Sequence, residues 1–238
     1  MQEDTTKARG WTAAVIVAAG GSTRMGTPKQ QIPVCGIPVL ARTMMAFEAA
    51  EQIDEMVLVT RPEDRAALEA LAREYGIAKL RAVVPGGQTR QESAANGAAA
   101  VGAQTDYIAV HDGARPLIRP TVIDAVVSAA RKWGAATAAV PVKDTIKRAD
   151  DQGCIAETPD RRRLWSVQTP QVFEAGLYRR ALKQAEIDGV DLTDDCQLVE
   201  RLGESVRLVE ADYANLKITT PEDVAFAEAI LRERGERF

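Results

Sequence analysis

A single histidine, His111, occurs in 238 residues, and that scarcity narrows the chemistry at once. Nucleophilic catalysis of the Ser/His/Asp kind needs an imidazole base, so it is excluded unless His111 itself supplies one. Cysteine is nearly as rare. Cys35, Cys154 and Cys196 are odd in number, widely spaced and form no CxxC pair. Neither a disulfide framework nor a zinc site is expected, and the three read as idle thiols of a reducing cytoplasm. Aromatics make up 5% of the chain, and no stretch of membrane-spanning length is free of charge. The opening "MQEDTTKARGW" has no apolar segment after its charges, which does not suit a signal peptide, and residues 1–10 read as a disordered tail. Positive charge is not in excess either: 30 Lys and Arg face 34 Asp and Glu, a formal net charge of −4. Bulk attraction to nucleic acid or an anionic membrane is thereby excluded. An anionic ligand has to be held by a local cluster of cations.

What the chain does have is an alternation of two patterns. The runs "AAVIVAAG" (13–20), "MVLVT" (56–60), "LRAVVPGG" (80–87), "YIAVHDGARP" (107–116) and "ATAAVPV" (136–142) read as strands running into loops. Helical spacing fills 38–50, 62–75, 91–102 and 120–133, with Pro62 and Pro120 near the starts, where a missing N–H costs nothing. Strand–helix alternation predicts an α/β fold, a doubly wound, mostly parallel Rossmann-like sheet. Residues 143–165 break the pattern. "TIKRA" and "CIAETP" flank the turn signal "DDQG", which predicts a protruding β-hairpin arm. A lone hairpin is marginal in water, so a second subunit is its expected packing partner. Farther on, 175–187 and 194–203 read as helices, "VRLVEA" as a strand and 221–234 as a capped terminal helix. The expected organisation is one domain over 11–238 carrying a dimerisation arm at about 143–165.

In such sheets ligands bind at the carboxyl ends of the strands. The first of these loops, "AAGGSTRMGTPK" (18–29), leaves its strand like a phosphate cradle. A Walker loop requires Lys then Ser or Thr after its last glycine, and here Thr27 and Pro28 follow Gly26. The dinucleotide fingerprint G-x-G-x-x-G fails as well, because Ser22 follows Gly20 and Gly21. A turn that holds no ligand is the plain alternative. Against it, Arg24 and Lys29 share one short loop with several backbone N–H groups, a set that matches a polyphosphate gaining charge in a transition state. Residue chemistry alone thus reaches a nucleoside triphosphate whose phosphate chain is wrapped by a loop.

The remaining loops narrow this. "PGGQTRQES" (85–93), "HDGARP" (111–116), "VKDTIKR" (142–148), "LWSVQTPQVF" (164–173), "LTDD" (192–195) and "NLKITTPED" (215–223) resemble, in order, the motifs of the 2-C-methyl-D-erythritol 4-phosphate cytidylyltransferase family. The resemblance runs from about residue 12 onward. It implies that Ala18, Ala19 and Gly20 meet the nucleotide through backbone, with Gly87, Gln88 and Ser93 completing a cytosine pocket. Arg24 and Lys29 match the catalytic cations. Asp112 and Arg115, with Gly113, fall at the junction between nucleotide and acceptor, while Thr193 and Lys217 match residues beside the acceptor phosphate. Thr145 and Arg161 lie on the arm and, by resemblance, reach into the neighbouring subunit of a homodimer.

The implied reaction is attack by an acceptor phosphate on the α-phosphorus of CTP, releasing pyrophosphate. A phosphate monoester is already ionised at neutral pH, so no general base is required and His111 is expected to be structural, closing the turn before Asp112. Catalysis then rests on orientation and charge stabilisation. Mg²⁺ is the implied cofactor, since it takes phosphate oxygens and water with few carboxylates. Asp112 is the candidate metal ligand, and the alternative for it is a bond to a loop N–H or a substrate hydroxyl. Ribitol 5-phosphate or another polyol or sugar phosphate stays open as acceptor, as does a nucleotide-binding protein without turnover. The joint presence of Arg24, Lys29, Thr145, Arg161 and Lys217 disfavours the latter.

Overall fold

In the computed structural model, residues 9–20 and 29–235 are described, Lys29 through its backbone only. The hexapeptide TAAVIV forms the first strand, β1 (Thr12–Val17), and all but its last residue are buried. Burial on both faces is why it shows no polar alternation. After β1 come a two-stranded ribbon, β2 (Pro33–Val34) and β3 (Ile37–Pro38), then α1 (Val39–Ala49), β4 (Glu55–Thr60), α2 (Arg65–Glu74) and β5 (Leu80–Pro85). The middle of the chain is α3 (Arg90–Ala100), β6 (Tyr107–Asp112), α4 (Pro120–Trp133) and β7 (Ala135–Pro141). The arm carries β8 (Arg148–Ala149) and β9 (Ile155–Glu157). The last part is β10 (Trp165–Glu174), α5 (Ala175–Asp188), α6 (Asp195–Glu200), β11 (Arg207–Glu210) and α7 (Pro221–Glu233).

Seven strands make one sheet in the order β11-β7-β10-β6-β1-β4-β5. Only β10 runs against its neighbours, β6 and β7, and every other pair is parallel. This is the α/β, mostly parallel, Rossmann-like sheet that the alternation predicts. Alternate side chains of β1 feed two apolar layers. Ala14 and Ile16 pack with Leu40, Met44 and Phe47 of α1, Leu68 of α2 and Ile123 of α4. On the other face, Ala13 and Val15 pack with Ala94 and Ala98 of α3, Tyr178 of α5 and Leu198 of α6. The terminal helix α7 closes a third, smaller cluster of Val34, Leu117, Ile218, Ala227 and Leu231. Its start is written in the sequence, since Thr220 and Asp223 form a capping box around Pro221.

The strand that sequence reading passed over is β10, known there only as the motif "LWSVQTPQVF". Pro170 and four polar side chains in ten residues argue against a central strand. The sheet accommodates the proline where the ladder with β7 shifts register, between Val167 and Gln171. Gln168, Thr169 and Gln171 are all buried there, and each is bonded to an element of the site described below. The arm exists as a β8–β9 hairpin whose paired residues are exposed along their length. Of the ten residues read as a tail, 1–8 lie outside the described residues. Arg9 is tied to Asp54 at 2.5 Å, and the Gly10 carbonyl accepts from Arg131. Among the described residues no helix is long and apolar enough to cross a membrane.

Close approach of α3 to the sheet depends on Gly97. A Cβ there would lie 2.2 Å from Val15 Cγ1 and 2.8 Å from Val59 Cγ2. Gly97→Ala gains roughly 0.5–1 kcal/mol of helix propensity, but overpacking typically costs about 1–3 kcal/mol. The variant is therefore expected to lower the urea midpoint at unchanged slope, and a raised midpoint would contradict this packing.

Candidate active site

Three strand ends converge on one cavity of about 300 Å³ at the carboxyl edge of the sheet. From the end of β1 come Val17, Ala18, Ala19 and Gly20, from the β5–α3 loop Gly87, Gln88 and Thr89, from the first turn of α3 Arg90, and from the end of β6 Asp112 and Ala114. Gln30, Ser93 and Lys217 complete the lining. Two of the loops touch. A Cβ on Gly86 would stand 2.3 Å from the Cβ of Ala19, so only glycine allows this approach. Side chains of α3 hold the β5–α3 loop in place. The Gly87 N–H donates to Ser93 Oγ at 3.1 Å, and the Gln88 N–H donates to Glu92 Oε2 at 2.6 Å. Ser93 Oγ in turn donates to the Thr89 carbonyl, and Thr89 caps the helix. Gln30 Nε2 donates to the carbonyls of Ala18 and Gly20, at 2.5 and 3.2 Å. It thereby ties the chain after the glycine-rich loop to the residues before it.

Asp112 forms the floor of the cavity, and only 11% of its side chain is exposed. Three cations surround it. Lys217 Nζ lies 2.8 Å from Oδ2, Arg115 Nε 3.7 Å from the same oxygen, and Arg90 Nε 3.4 Å from Oδ1. Burial pushes the carboxyl pKa up, but Lys217, Arg90 and Arg115 more than reverse this and hold it well below the usual carboxylate range. The backbone explains how Lys217 arrives there. The Ile218 N–H donates to the Ala114 carbonyl and Arg115 Nη1 donates to the Asn215 carbonyl, both at 2.8 Å. Asn215 itself is anchored on β10, donating through Nδ2 to Gln168 Oε1 and the Thr169 carbonyl.

His111 stands behind this floor, fully buried, with its ring 4.8 Å from that of Phe47. Thr169 Oγ1 accepts from the Asp112 N–H at 3.1 Å and stands 3.0 Å from His111 Nδ1; because the Arg115 carbonyl opposite Nε2 can only accept, the hydroxyl is the donor to Nδ1. The ring proton then sits on Nε2, directed at the Arg115 carbonyl 3.4 Å away. A neutral imidazole therefore links Thr169 of β10 to the turn that presents Asp112 and Arg115. Burial pushes its pKa down to about 3, with Arg115 and Lys217 acting in the same direction and Asp112 opposing. A histidine locked neutral, with both nitrogens engaged, is a brace for the turn.

The model of the 2-C-methyl-D-erythritol 4-phosphate cytidylyltransferase family (IspD) matches residues 12–233. The chain belongs to this family. It is 46% identical over 225 residues to the 2-C-methyl-D-erythritol 4-phosphate cytidylyltransferase of Desulforamulus reducens, covering 93% of this chain and 96% of the relative. The protein of the same name from Caldanaerobacter subterraneus subsp. tengcongensis is 46% identical, covering 93% and 99%. The fold is similar to the crystal structure of 4-diphosphocytidyl-2C-methyl-D-erythritol synthase from Anaerococcus prevotii, with a TM-score of 0.86 and 32% identity, covering 94% and 96%.

Within this cytidylyltransferase frame the sequence-selected residues divide. Ala18, Ala19, Gly20, Gly87, Gln88, Ser93, Asp112 and Lys217 share the cavity, and Arg115 joins them through Asp112. Gly113 lies just below, its N–H donating to the Val17 carbonyl, and a Cβ there would sit tightly, 3.1 Å from Ala18 Cβ and Leu40 Cδ1. Arg24 and the side chain of Lys29 lie outside the described residues. Thr145, Arg161 and Thr193 are exposed and do not line the cavity of this chain. Arg161 Nη1 donates to the Lys143 carbonyl, and Thr193 Oγ1 accepts from Gln197 Nε2. Five lining residues are not among those the motifs point to: Val17, Thr89 and Ala114, and the longer side chains Gln30 and Arg90. For Arg90 a signal existed, because a cation in the first turn of a helix opposes the macrodipole and needs an anion nearby. Among the described residues no three His, Cys, Asp or Glu side chains cluster as a metal site, and Asp112 is the one carboxylate lining the cavity.

The His111 pKa gives a pH dependence with a definite sign. It is lower folded than unfolded, from 6.5 to about 3, so the folded state binds fewer protons in that range. The stabilisation is fully present above about pH 6.5 and is lost as pH falls towards 3. Between pH 6.5 and 5 the loss amounts to about 2 kcal/mol. His111→Gln should show a correspondingly shallower loss of unfolding free energy over that interval, and an unchanged slope would contradict a histidine held neutral.

Proposed function

We propose that this chain joins CTP and 2-C-methyl-D-erythritol 4-phosphate, giving CDP-methylerythritol and pyrophosphate in isoprenoid precursor synthesis. The observation that carries the reading is the floor of the cavity. One ionised carboxylate with three cations gathered on it lies directly beside a backbone-lined slot, a combination suited to two phosphorylated ligands meeting end to end. Among the described residues no histidine lines the cavity, and no base is needed, because the attacking oxygen belongs to an already ionised phosphate. The work left to the protein is alignment and charge stabilisation.

In this reading Ala18, Ala19 and Gly20 offer main-chain groups to the nucleotide, and the pinned loop of Gly87 and Gln88, held by Ser93, takes the pyrimidine. Gly113 keeps the β6 turn close to Ala18. On the acceptor side Lys217 and Arg115 exchange part of their pairing with Asp112 for the incoming phosphate, with Thr193 beside it. Arg24 and Lys29 stabilise the five-coordinate α-phosphorus and the departing pyrophosphate. Mg²⁺, when bound, screens the triphosphate oxygens. Asp112 fits its demand for a single hard carboxylate completed by phosphate and water. Residues 11–238 act as one nucleotidyltransferase unit in the cytoplasm, and the arm at 143–165 pairs two copies so that Thr145 and Arg161 serve the neighbouring site. The exposure of Ile146 and Ile155 on that arm supports such a partner; the isolated hairpin buries too little to be held by itself.

Pyrophosphate release from CTP and Mg²⁺ across a panel of acceptors tests the reading. Turnover is expected with 2-C-methyl-D-erythritol 4-phosphate, in a species of dimer mass by light scattering. Turnover with ribitol 5-phosphate alone would reject the acceptor, and a fully active monomer would reject the shared site. Lys29→Ala should cost roughly 10²–10³ in kcat, by analogy with lost oxyanion donors, at little change in CTP affinity; an unchanged kcat would remove Lys29 from the transition state.

A further inference from the structure

Arg90 stands at the first turn of α3 with a cationic side chain that the macrodipole disfavours. Two carboxylates explain it. Its Nε faces Asp112 Oδ1 at 3.4 Å, and its Nη1 lies 2.7 Å from Asp195 Oδ2. Asp195, the first residue of α6, is completely buried. Its other oxygen accepts from Tyr178 Oη at 2.7 Å, and Gln171 Oε1 accepts from its backbone N–H at 2.9 Å. Tyr178 is itself fully buried and stacked on Phe173. The anchor behind Arg90 is therefore rigid and dry. The third guanidinium nitrogen, Nη2, has no partner among the described residues and is not sealed from solvent, while the residue lines the cavity beside Asp112 and Lys217.

We infer that Arg90 is a further phosphate-contacting residue of this site, presenting its free Nη2 to a substrate phosphate, and that the buried Asp195–Tyr178 pair is the positioning element that aims it. A planar guanidinium suits this task because it can pair with two carboxylates, here through Nε and Nη1, and still has a donor to offer. A lysine carries the same charge but cannot span both carboxylates and keep a fixed direction. Charge supports the assignment too. Arg90, Arg115 and Lys217 outnumber Asp112 and Asp195 by three to two, which leaves cationic capacity for an oxyanion. The inference rests on the reaction proposed above only for which phosphate is met, the nucleotide's or the acceptor's.

The test compares wild type with Arg90→Lys and Asp195→Asn. Inorganic pyrophosphate binding is read by calorimetry without turnover, and KM for CTP and for the acceptor is read separately. Arg90→Lys is expected to weaken pyrophosphate binding and kcat/KM by about tenfold to a hundredfold, the usual worth of a charge-assisted hydrogen bond. Asp195→Asn should show the same pattern at smaller size. The KM that rises more names the phosphate. Arg90→Lys changes a side chain that is already one-quarter exposed, so it tests the contact even if Asp195→Asn folds poorly. Wild-type pyrophosphate affinity and kcat/KM in Arg90→Lys would overturn the contact, as would a wild type that does not bind pyrophosphate. A folded Asp195→Asn with full affinity would overturn the positioning role. A wild type that binds pyrophosphate, and loses it on Arg90→Lys, yet does not turn over the acceptor, would reject the proposed reaction and leave this inference standing.

Discussion

Asp112 closes the middle strand of the sheet, and a carboxylate buried there is costly unless its charge is compensated. Compensation comes from three places in the chain: Arg90 from the first turn of α3, Arg115 from the turn after β6, and Lys217 from the segment before α7. One negative charge thus draws together loops that are more than a hundred residues apart in sequence. The same three cations are what a phosphate ligand needs. The carboxylate thus gathers cations that a substrate phosphate can partly draw to itself.

The sheet makes this gathering possible. Parallel strands joined by right-handed crossovers bring all their carboxyl ends to one edge, and small residues hold the helices close enough for those ends to share a cavity. Gly97 lets α3 sit on β1 and β4, and Gly86 lets the β5 loop touch Ala19. The antiparallel strand β10 supplies the rest. Thr169 orients His111 and takes the Asp112 N–H, Gln168 holds Asn215, and Gln171 holds the start of α6. In this scaffold the side-chain donors of Gln168, Thr169 and Gln171 each meet a specific acceptor, which favours a rigid site.

How much was legible in the sequence follows from the kind of information each feature needs. The alternation of apolar runs and helical spacing reports local burial, so the parallel strands, the flanking helices and the arm were readable. The loops at the strand ends were readable because the topology dictates where ligands bind. The strand β10 was not, because its polar residues and Pro170 serve the site at the expense of the pattern that marks a strand. Arg90 was hidden for a related reason. Its partner Asp195 is distant in sequence, and pairing across such a distance leaves only an indirect trace, a cation where the helix dipole asks for an acid. The chemistry of a phosphate nucleophile makes His111 dispensable as a base, and its two hydrogen bonds and burial show it engaged structurally instead.

The central claim is that the Asp112 charge and its cations form one energetic unit. A double-mutant cycle of Asp112→Asn and Lys217→Met, followed by denaturant unfolding, tests this without reference to turnover. The account predicts a coupling of about 1 kcal/mol or more, because Lys217 Nζ lies 2.8 Å from a carboxylate that is almost wholly buried. Additivity within about 0.3–0.5 kcal/mol would mean the two residues act independently and would contradict it.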